Sequence, residues 1–191
     1  MLPKGVIKLR DSIDAVGKLL DGNRRYLSRA GNAEIKRRVR NAEEGQHPYA
    51  IVVTCSDSRV IPEKIFSADL GDLFVIRVAG NVIGEHEAGS AEYAAGHLHV
   101  KHVVVLGHTQ CGAVGAALEG DGEGFVRSIT DEIKKAIGDE KDYDGAVRQN
   151  VRYGVRVLSE ILSKNPETGD VNVCGAVYDV KSGLVTIIDR D

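Results

Sequence analysis

The chain has 191 residues, of which 42% are hydrophobic and 28% charged, and its formal net charge is −3. This length and composition predict one globular domain with a core large enough to be stable without disulfide bonds. Acidic and basic residues are interspersed, which argues against a nucleic-acid-binding surface. No apolar run approaches the roughly 20 residues of a membrane span, and we find no signal-peptide segment. We therefore expect a cytoplasmic protein that binds neither nucleic acid nor membrane.

Hydrophobic periodicity predicts helices that alternate with strands after an opening pair of helices at 11–28 and 32–44. Continuous β-branched runs are typical of strands buried on both faces. The alternation predicts an α/β fold with a parallel sheet between helices, and no repeat or linker divides the chain. The predicted strands are 49–54, 73–78, 101–106, 171–178 and 184–188, and the predicted later helices are 89–98, 112–118, 125–137 and 143–163.

Three side chains that can bind a metal follow two of these strands. Cys55 comes directly after the first strand, and His108 and Cys111 follow the third. Active groups of parallel sheets gather beyond the carboxyl ends of the strands, so the three should converge if the strands are neighbours. Two thiolates and one imidazole suit zinc and leave a fourth position for water. Taken singly, Cys55 could instead be a buried core thiol and His108 a capping or core histidine.

Asp57 and Arg59 lie just beyond the first of these cysteines. A carboxylate paired with an arginine stays ionised and only accepts hydrogen bonds. Asp57 could thus orient a zinc-bound hydroxide, which is available near neutral pH because zinc lowers the pKa of water to about 7. The alternative is a helix-capping aspartate with a surface arginine, a pair that contributes little to stability.

The remaining cysteine, three histidines and one charged segment are expected to have structural rather than catalytic roles. Cys174, in a predicted strand, is expected to be a core thiol. His97, His99 and His102 are expected to be surface or interface histidines, because His102 begins the strand whose far end leads to His108. The segment 85–87, between glycines, is predicted to be a solvated loop.

The segments around the candidate ligands resemble the β-class carbonic anhydrases. That family carries a Cys-x-Asp-x-Arg motif and, further along the chain, a His-x-x-Cys motif. Here these are Cys55-Ser-Asp57-Ser-Arg59 and His108-Thr-Gln-Cys111. The segments 77–81 and 89–94, between the two motifs, also resemble the family. Weaker similarity at 20–26 and 178–179 extends the resemblance over most of the chain.

The resemblance implies an enzyme that reversibly hydrates carbon dioxide to bicarbonate, with one zinc ion per chain bound by Cys55, His108 and Cys111. It implies that Asp57 and Arg59 form a dyad that orients a zinc hydroxide nucleophile. The implied fold has four parallel strands and one further edge strand, flanked by helices. The implied assembly is a homodimer or a higher even oligomer, with 1–44 as an N-terminal helical arm that packs on a partner subunit.

The resemblance to plant-type members also implies a substrate pocket. Gln46 would hydrogen-bond bicarbonate, Phe74 and Tyr93 would wall an apolar slot for carbon dioxide, and the Gly112 N–H would bind a substrate oxygen. Phe74 and Tyr93 would equally suit ordinary core positions of a strand and a helix.

Two alternative functions remain open. Carbon disulfide and carbonyl sulfide hydrolases are similar to this family and use the same zinc motifs. A non-catalytic zinc-binding module would hold the metal without turnover, although such a module would not need the Asp57–Arg59 pair.

Overall fold

The computed structural model describes residues 15–190, so the predicted helix start at 11–14 lies outside the described residues. The chain divides into two compact units, with the boundary between Gly45 and Gln46. The first unit contains α1 (Ala15–Arg29) and α2 (Asn32–Glu44), and neither helix has a fully buried residue. The guanidinium of Arg38 on α2 lies 5.7 Å from the centre of the Tyr26 ring on α1.

The second unit is built on one five-stranded sheet in the order β2-β1-β3-β4-β5. The first four strands are parallel, and β5 is antiparallel to β4. The predicted α/β class, with four parallel strands and one further edge strand flanked by helices, is confirmed. The strands are β1 (Ala50–Thr54), β2 (Leu73–Arg77), β3 (His102–His108), β4 (Asn172–Tyr178) and β5 (Val185–Arg190), and the helices are α3 (Pro62–Ile65), α4 (Glu85–His97), α5 (Gly112–Glu119), α6 (Val126–Ile137) and α7 (Tyr143–Ser163), with a 3-10 helix at Ala79–Asn81.

The two faces of the sheet are covered unequally. Helices α4 to α7 bury their apolar residues in one large core on one face. On the other face a smaller core surrounds Val52, Val60, Leu106 and Ala176, with α3 and the chain around Val180 against it. All five residues of β1 are buried, which explains why its sequence is continuously apolar rather than alternating.

Helix α7 lies close to the sheet because glycines face it. A β carbon at Gly107 would lie 2.5 Å from Val151 Cγ2, and one at Gly175 would lie 2.8 Å from Val151 Cγ1. Val147, Val155 and other apolar residues of α7 enter the same core. The helix therefore runs directly behind β3 and β4, and this brings its first turns to the carboxyl edge of the sheet.

The structure corrects several sequence-based predictions. The segment 85–87 is the first turn of α4 rather than a loop: the Gly84 N–H donates to Glu87 Oε2, and acidic side chains favour helix N-termini. Strand β3 continues to His108, two residues past its predicted end. Cys174 is half-buried rather than in the core, because it points to the thinly covered face of β4. The short α3 and the 3-10 helix were not predicted.

None of the helices within residues 15–190 combines the length and the apolarity that crossing a membrane requires.

Candidate metal centre

The structure brings the three predicted ligands together at the carboxyl edge of the sheet. Cys55 follows β1, His108 is the last residue of β3, and Cys111 directly precedes the first residue of α5. Because β1 and β3 are parallel neighbours, both ligand segments leave the sheet at one edge. All three residues are buried, and their ligand atoms lie within 4.8 Å of one another. Within residues 15–190 this is the one group of three or more such side chains that could hold a metal ion.

The donor set fits zinc. The sulfurs of Cys55 and Cys111 lie 4.0 Å apart, close to the roughly 3.8 Å that two thiolates would span on a tetrahedral zinc with bonds of about 2.3 Å. His108 Nδ1 lies 2.9 Å from the Thr109 carbonyl oxygen, which can only accept, so Nδ1 carries the proton. The other ring nitrogen, Nε2, is buried without a hydrogen-bond partner. A bound metal ion would satisfy that nitrogen.

The surroundings of the cysteines favour a thiolate. A hydrogen bond between the two sulfurs lowers the pKa of Cys55, although burial opposes this. The Gly80 N–H, 3.2 Å from Cys55 Sγ, also stabilises the thiolate and lowers this pKa. The same sulfur–sulfur hydrogen bond, together with burial, raises the pKa of Cys111. Of the two thiols, Cys55 is therefore the more acidic.

Asp57 and Arg59 form a two-pronged ion pair beside the ligands. Arg59 Nη2 donates to Asp57 Oδ2 at 2.8 Å, and Arg59 Nε donates to Oδ1 at 3.0 Å. The Arg59 backbone N–H reaches the same Oδ1 at 2.9 Å. These contacts lower the pKa of Asp57 to about 2, chiefly through the side-chain hydrogen bond from Arg59. Asp57 is therefore an acceptor-only carboxylate at neutral pH.

Arg59 also joins the two ligand segments. Its Nη2 donates to the Gln110 carbonyl oxygen at 3.0 Å, and its Nη1 lies 3.3 Å from Gln110 Oε1. Gln110 has a φ of 57°, in the left-handed region. One guanidinium thus connects the loop after Cys55 to the turn between His108 and Cys111.

Hydrogen bonds to neighbouring strands hold both loops in place. Arg77 at the end of β2 donates to the carbonyl oxygens of Cys55 and Asp57, at 3.2 and 2.8 Å. The Thr109 N–H donates to the Tyr178 carbonyl oxygen, and Thr109 Oγ1 accepts the Val180 N–H. The neighbouring strands on either side therefore fix the position of the ligands.

Two residues of α7 also contact the surroundings of the ligands, one at Cys111 and one at Gly80. The Tyr143 hydroxyl donates to the Cys111 carbonyl oxygen at 2.6 Å. Burial raises the pKa of Tyr143 to about 12, so the hydroxyl keeps its proton. Asn150 is 4% exposed, and its Nδ2 donates to the Gly80 carbonyl oxygen at 2.8 Å.

The predicted substrate-binding residues fall in two places. Gly112 begins α5 beside Cys111, where first-turn N–H groups lack helical acceptors, and a β carbon there would meet nothing within 4 Å. Phe74 instead pairs with Ile51, four residues before Cys55, which places it about 13 Å back along the strand. Within one chain, therefore, the structure does not bring Phe74 to the metal ligands.

Tyr93 lies beside Phe74, and Gln46 lies before the first residue of β1, whereas the ligands follow the strands. The Tyr93 ring centre is 6.2 Å from that of Phe74, and Tyr93 is 48% exposed. Gln46 is exposed and precedes β1, on the amino side of the sheet. The substrate-binding role of these residues stays a prediction.

Sequence reasoning missed five residues that support the ligands. Arg77 and Gly80 lie in a segment already noted for its similarity to the family, but nothing in the sequence indicated that either one faces Cys55. Gln110 lies between two predicted ligands, which could have drawn attention to it. Tyr143 and Asn150 carried no local signal, because they are 32 and 70 residues from their partners.

Comparison with known proteins connects this geometry to a family. A family model described as carbonic anhydrase matches residues 50–185, well over half of the chain. A carbonic anhydrase of Mycolicibacterium smegmatis is 43% identical over 185 residues, which cover 88% of this chain and 89% of that protein. Carbonic anhydrase 2 of Mycobacterium tuberculosis is 36% identical over 159 residues, covering 76% and 77%.

Solved structures agree with the sequence comparisons. The β-carbonic anhydrase CafA of Aspergillus fumigatus superposes with a TM-score of 0.79 at 29% identity, covering 92% of this chain and 91% of that one. The β-carbonic anhydrase CcaA superposes with a TM-score of 0.76 at 25% identity, covering 92% of both chains. With a matching family model, relatives and fold, this chain belongs to the β-class carbonic anhydrase family and is a carbonic anhydrase.

Proposed function

We propose that the chain hydrates carbon dioxide reversibly to bicarbonate and a proton, using one zinc ion held by Cys55, His108 and Cys111. The observation that carries this proposal is the unpartnered, buried Nε2 of His108, which faces two thiols within 4.8 Å. An unsatisfied buried nitrogen is costly, and a zinc ion would remove that cost. When bound, zinc supplies Lewis acidity that makes a hydroxide nucleophile available near neutral pH.

Asp57 sets the orientation of the reacting oxygen. Arg59 occupies Oδ1 with two hydrogen bonds and Oδ2 with one, so Oδ2 can accept another. An ionised carboxylate has no proton to donate, so it can only accept a hydrogen bond from an oxygen that carries hydrogen. That hydrogen bond fixes the orientation of the oxygen and turns its lone pair toward the substrate carbon. In the reverse direction, Asp57 accepts a hydrogen bond from the hydroxyl group of bicarbonate.

The Gly112 N–H is proposed to hold a substrate oxygen at the start of α5. The helix dipole favours negative charge at a helix N-terminus, so this N–H suits the oxygen on which charge develops. The open space beside the Gly112 α carbon leaves room for a small substrate.

The roles of Gln46, Phe74 and Tyr93 are proposed together with a homodimer or higher even oligomer. Within one chain Phe74 lies well back from the ligands, so we propose that the apolar wall of Phe74 and Tyr93, and the hydrogen bond from Gln46 to bicarbonate, serve the metal site of a second copy. The β-carbonic anhydrases of Sordaria macrospora, described as tetrameric, superpose with a TM-score of 0.70 at 25% identity and cover 92% of this chain. Residues 1–44 are proposed to pack on the partner as an arm, and the need for two reduced cysteines favours the cytoplasm.

The assembly is tested by light scattering coupled to size-exclusion chromatography. The native chain should give an even multiple of the 20.5 kDa chain mass. Tyr93→Ala in an assembly of unchanged mass should reduce carbon dioxide hydration while zinc content stays the same. A fully active monomer would refute the shared pocket.

Catalysis is tested by stopped-flow carbon dioxide hydration on protein of measured zinc content. The native chain should turn over, Cys111→Ser should lose zinc and turnover together, and Asp57→Ala should keep zinc but lose most turnover. Zinc bound at this site with no hydration would reject the proposal. Turnover of carbon disulfide or carbonyl sulfide would then support the hydrolase alternative, and no turnover at all would support a zinc-binding module.

A further inference from the structure

Two polar side chains of helix α7 connect it to the cysteines of the metal centre, Tyr143 directly at Cys111 and Asn150 through Gly80. Tyr143 and Asn150 are seven residues apart, about two helical turns, so they share one face of α7 and are separated by about 10.5 Å along its axis. Tyr143 reaches the carbonyl of Cys111, and Asn150 reaches the carbonyl of Gly80. Neither residue is a metal ligand, and the proposed reaction does not use them.

Gly80 transmits the contact of Asn150 to Cys55. The Gly80 carbonyl accepts from Asn150, and the Gly80 N–H donates to Cys55 Sγ at 3.2 Å. Gly80 has a φ of 68°, and a β carbon there would lie 2.7 Å from Ile133 Cδ1. The peptide groups on both sides of Gly80 are thus held in a conformation that aims one N–H at the sulfur.

Tyr143 acts on the second cysteine at the point where α5 begins. The Cys111 carbonyl accepts the Gly115 N–H at 3.1 Å as the first helical bond, and the Tyr143 hydroxyl adds a second hydrogen bond at 2.6 Å. Two donors on one carbonyl fix the orientation of its peptide group and, with it, the direction of the Cys111 side chain.

The packing of α7 is independent of these two hydrogen bonds. Val147, Val151, Val155 and Leu158 are buried in the core, so the helix keeps its place on the sheet when either polar group is removed. This separation makes a positioning role testable apart from folding.

We propose that α7 is a brace for the metal centre, in which Tyr143 and Asn150 are positioning residues that set the placement of the Cys111 and Cys55 thiolates. The inference rests on the proposed three-residue metal site, but it does not depend on the reaction catalysed there. Hydrogen-bond partners outside the ligand set typically change metal affinity by about 10- to 100-fold. The brace should therefore show in metal binding before it shows in turnover.

The test uses Tyr143→Phe, Asn150→Ala and the double variant, with Val155→Ala as a control that removes core packing from the same helix. Zinc affinity is measured by competition with a chromophoric chelator, and each metal-stripped protein is also loaded with cobalt(II) for its thiolate-to-cobalt absorption bands. We expect each single variant to weaken zinc binding about tenfold and the double variant about 100-fold. Asn150→Ala should also shift the cobalt bands, because the N–H bond to the Cys55 sulfur is loosened.

Val155→Ala should lower the melting temperature and leave zinc affinity and cobalt bands unchanged. If Tyr143→Phe and Asn150→Ala behave like this control, they are purely structural and the proposal is overturned. Native protein that binds zinc tightly without hydrating carbon dioxide would reject the proposed function alone, since the brace is measured by affinity and absorption. Native protein that binds neither zinc nor cobalt at these cysteines would overturn both.

Discussion

Among single residues, Arg59 links the Asp57 carboxylate to the turn that carries two of the three candidate ligands. Its guanidinium contacts both oxygens of Asp57 and both oxygens of Gln110. A planar group with several fixed donors can span these acceptors at once, whereas an ammonium group cannot. The charge at this position and the geometry of the side chain therefore make separate contributions.

The substitution Arg59→Lys separates the contribution of charge from that of side-chain geometry. The lysine keeps the positive charge but loses the paired contacts, so Asp57 should become mobile and turnover should fall on the order of tenfold, the loss of about 1.4 kcal/mol. Zinc content should stay the same, because no ligand is altered. Stopped-flow hydration measures the effect, and Arg156→Lys on the exposed side of α7 is the matched control. Native turnover in Arg59→Lys would show that charge alone suffices.

Gly80 has a left-handed backbone conformation, and the side chain of Ile133 occupies the space that a β carbon would need. Gly80→Ala should destabilise the fold, because the new β carbon would lie 2.7 Å from Ile133 Cδ1 at a φ of 68°. Gly120→Ala is the control, since Gly120 has a φ of 80° but nothing within 4 Å of an added β carbon. We expect a loss of about 1–2 kcal/mol for Gly120→Ala and a further loss of about 1–3 kcal/mol for Gly80→Ala from overpacking.

Urea unfolding gives both free energies for this comparison. Equal losses in the two variants would mean that Ile133 moves aside without penalty, and that only the backbone conformation requires glycine at Gly80.

At the scale of elements, the start of α7 matters because Tyr143 is its first residue. Asp142 caps the helix: its Oδ2 accepts the Gly145 N–H at 2.7 Å. An N-terminal cap of this kind stabilises a helix and fixes where its first turn begins. The cap therefore helps to set the position from which the Tyr143 hydroxyl reaches Cys111.

Asp142→Ala should reduce the free energy of unfolding by about 1 kcal/mol. The first turn of α7 should fray, so amide hydrogen exchange should speed up there and stay unchanged in the buried middle of the helix. Asp139→Ala, which removes a nearby exposed carboxylate that does not cap the helix, is the control. Equal effects of the two substitutions would attribute the loss to charge rather than to capping.

Periodicity predicted most elements to within a few residues, because burial of one face repeats locally along a helix or strand. The short α3 and the 3-10 helix were not predicted, because four and three residues are too few to show a hydrophobic period. The first turn of α4 was mistaken for a loop because its residues are polar.

For the whole molecule, the proposed zinc site predicts that metal binding raises stability. A ligand at 1,000 times its dissociation constant stabilises the native state by about 4.1 kcal/mol, and 1 kcal/mol raises the melting temperature of a chain of this size by about 2–4 °C. Saturating zinc should therefore raise the melting temperature of stripped protein by about 8–16 °C. Calorimetry measures the shift, and Cys111→Ser should lose most of it. A native-sized shift in that variant would place the zinc elsewhere.

Local sequence patterns were enough to predict the α/β class, the ends of the strands and the candidate ligands. These follow from local apolar patterns and from the fact that residues adjacent to a parallel strand leave the sheet with it. The folded chain was needed to show that Gly80 contacts Cys55, Tyr143 contacts Cys111 and Asn150 contacts Gly80. The position of Phe74, back along its strand from the ligands, also appears only in the fold. Strand register and helix packing set those positions. Both arise from contacts between residues far apart in the chain, and local sequence patterns contain no information about such contacts.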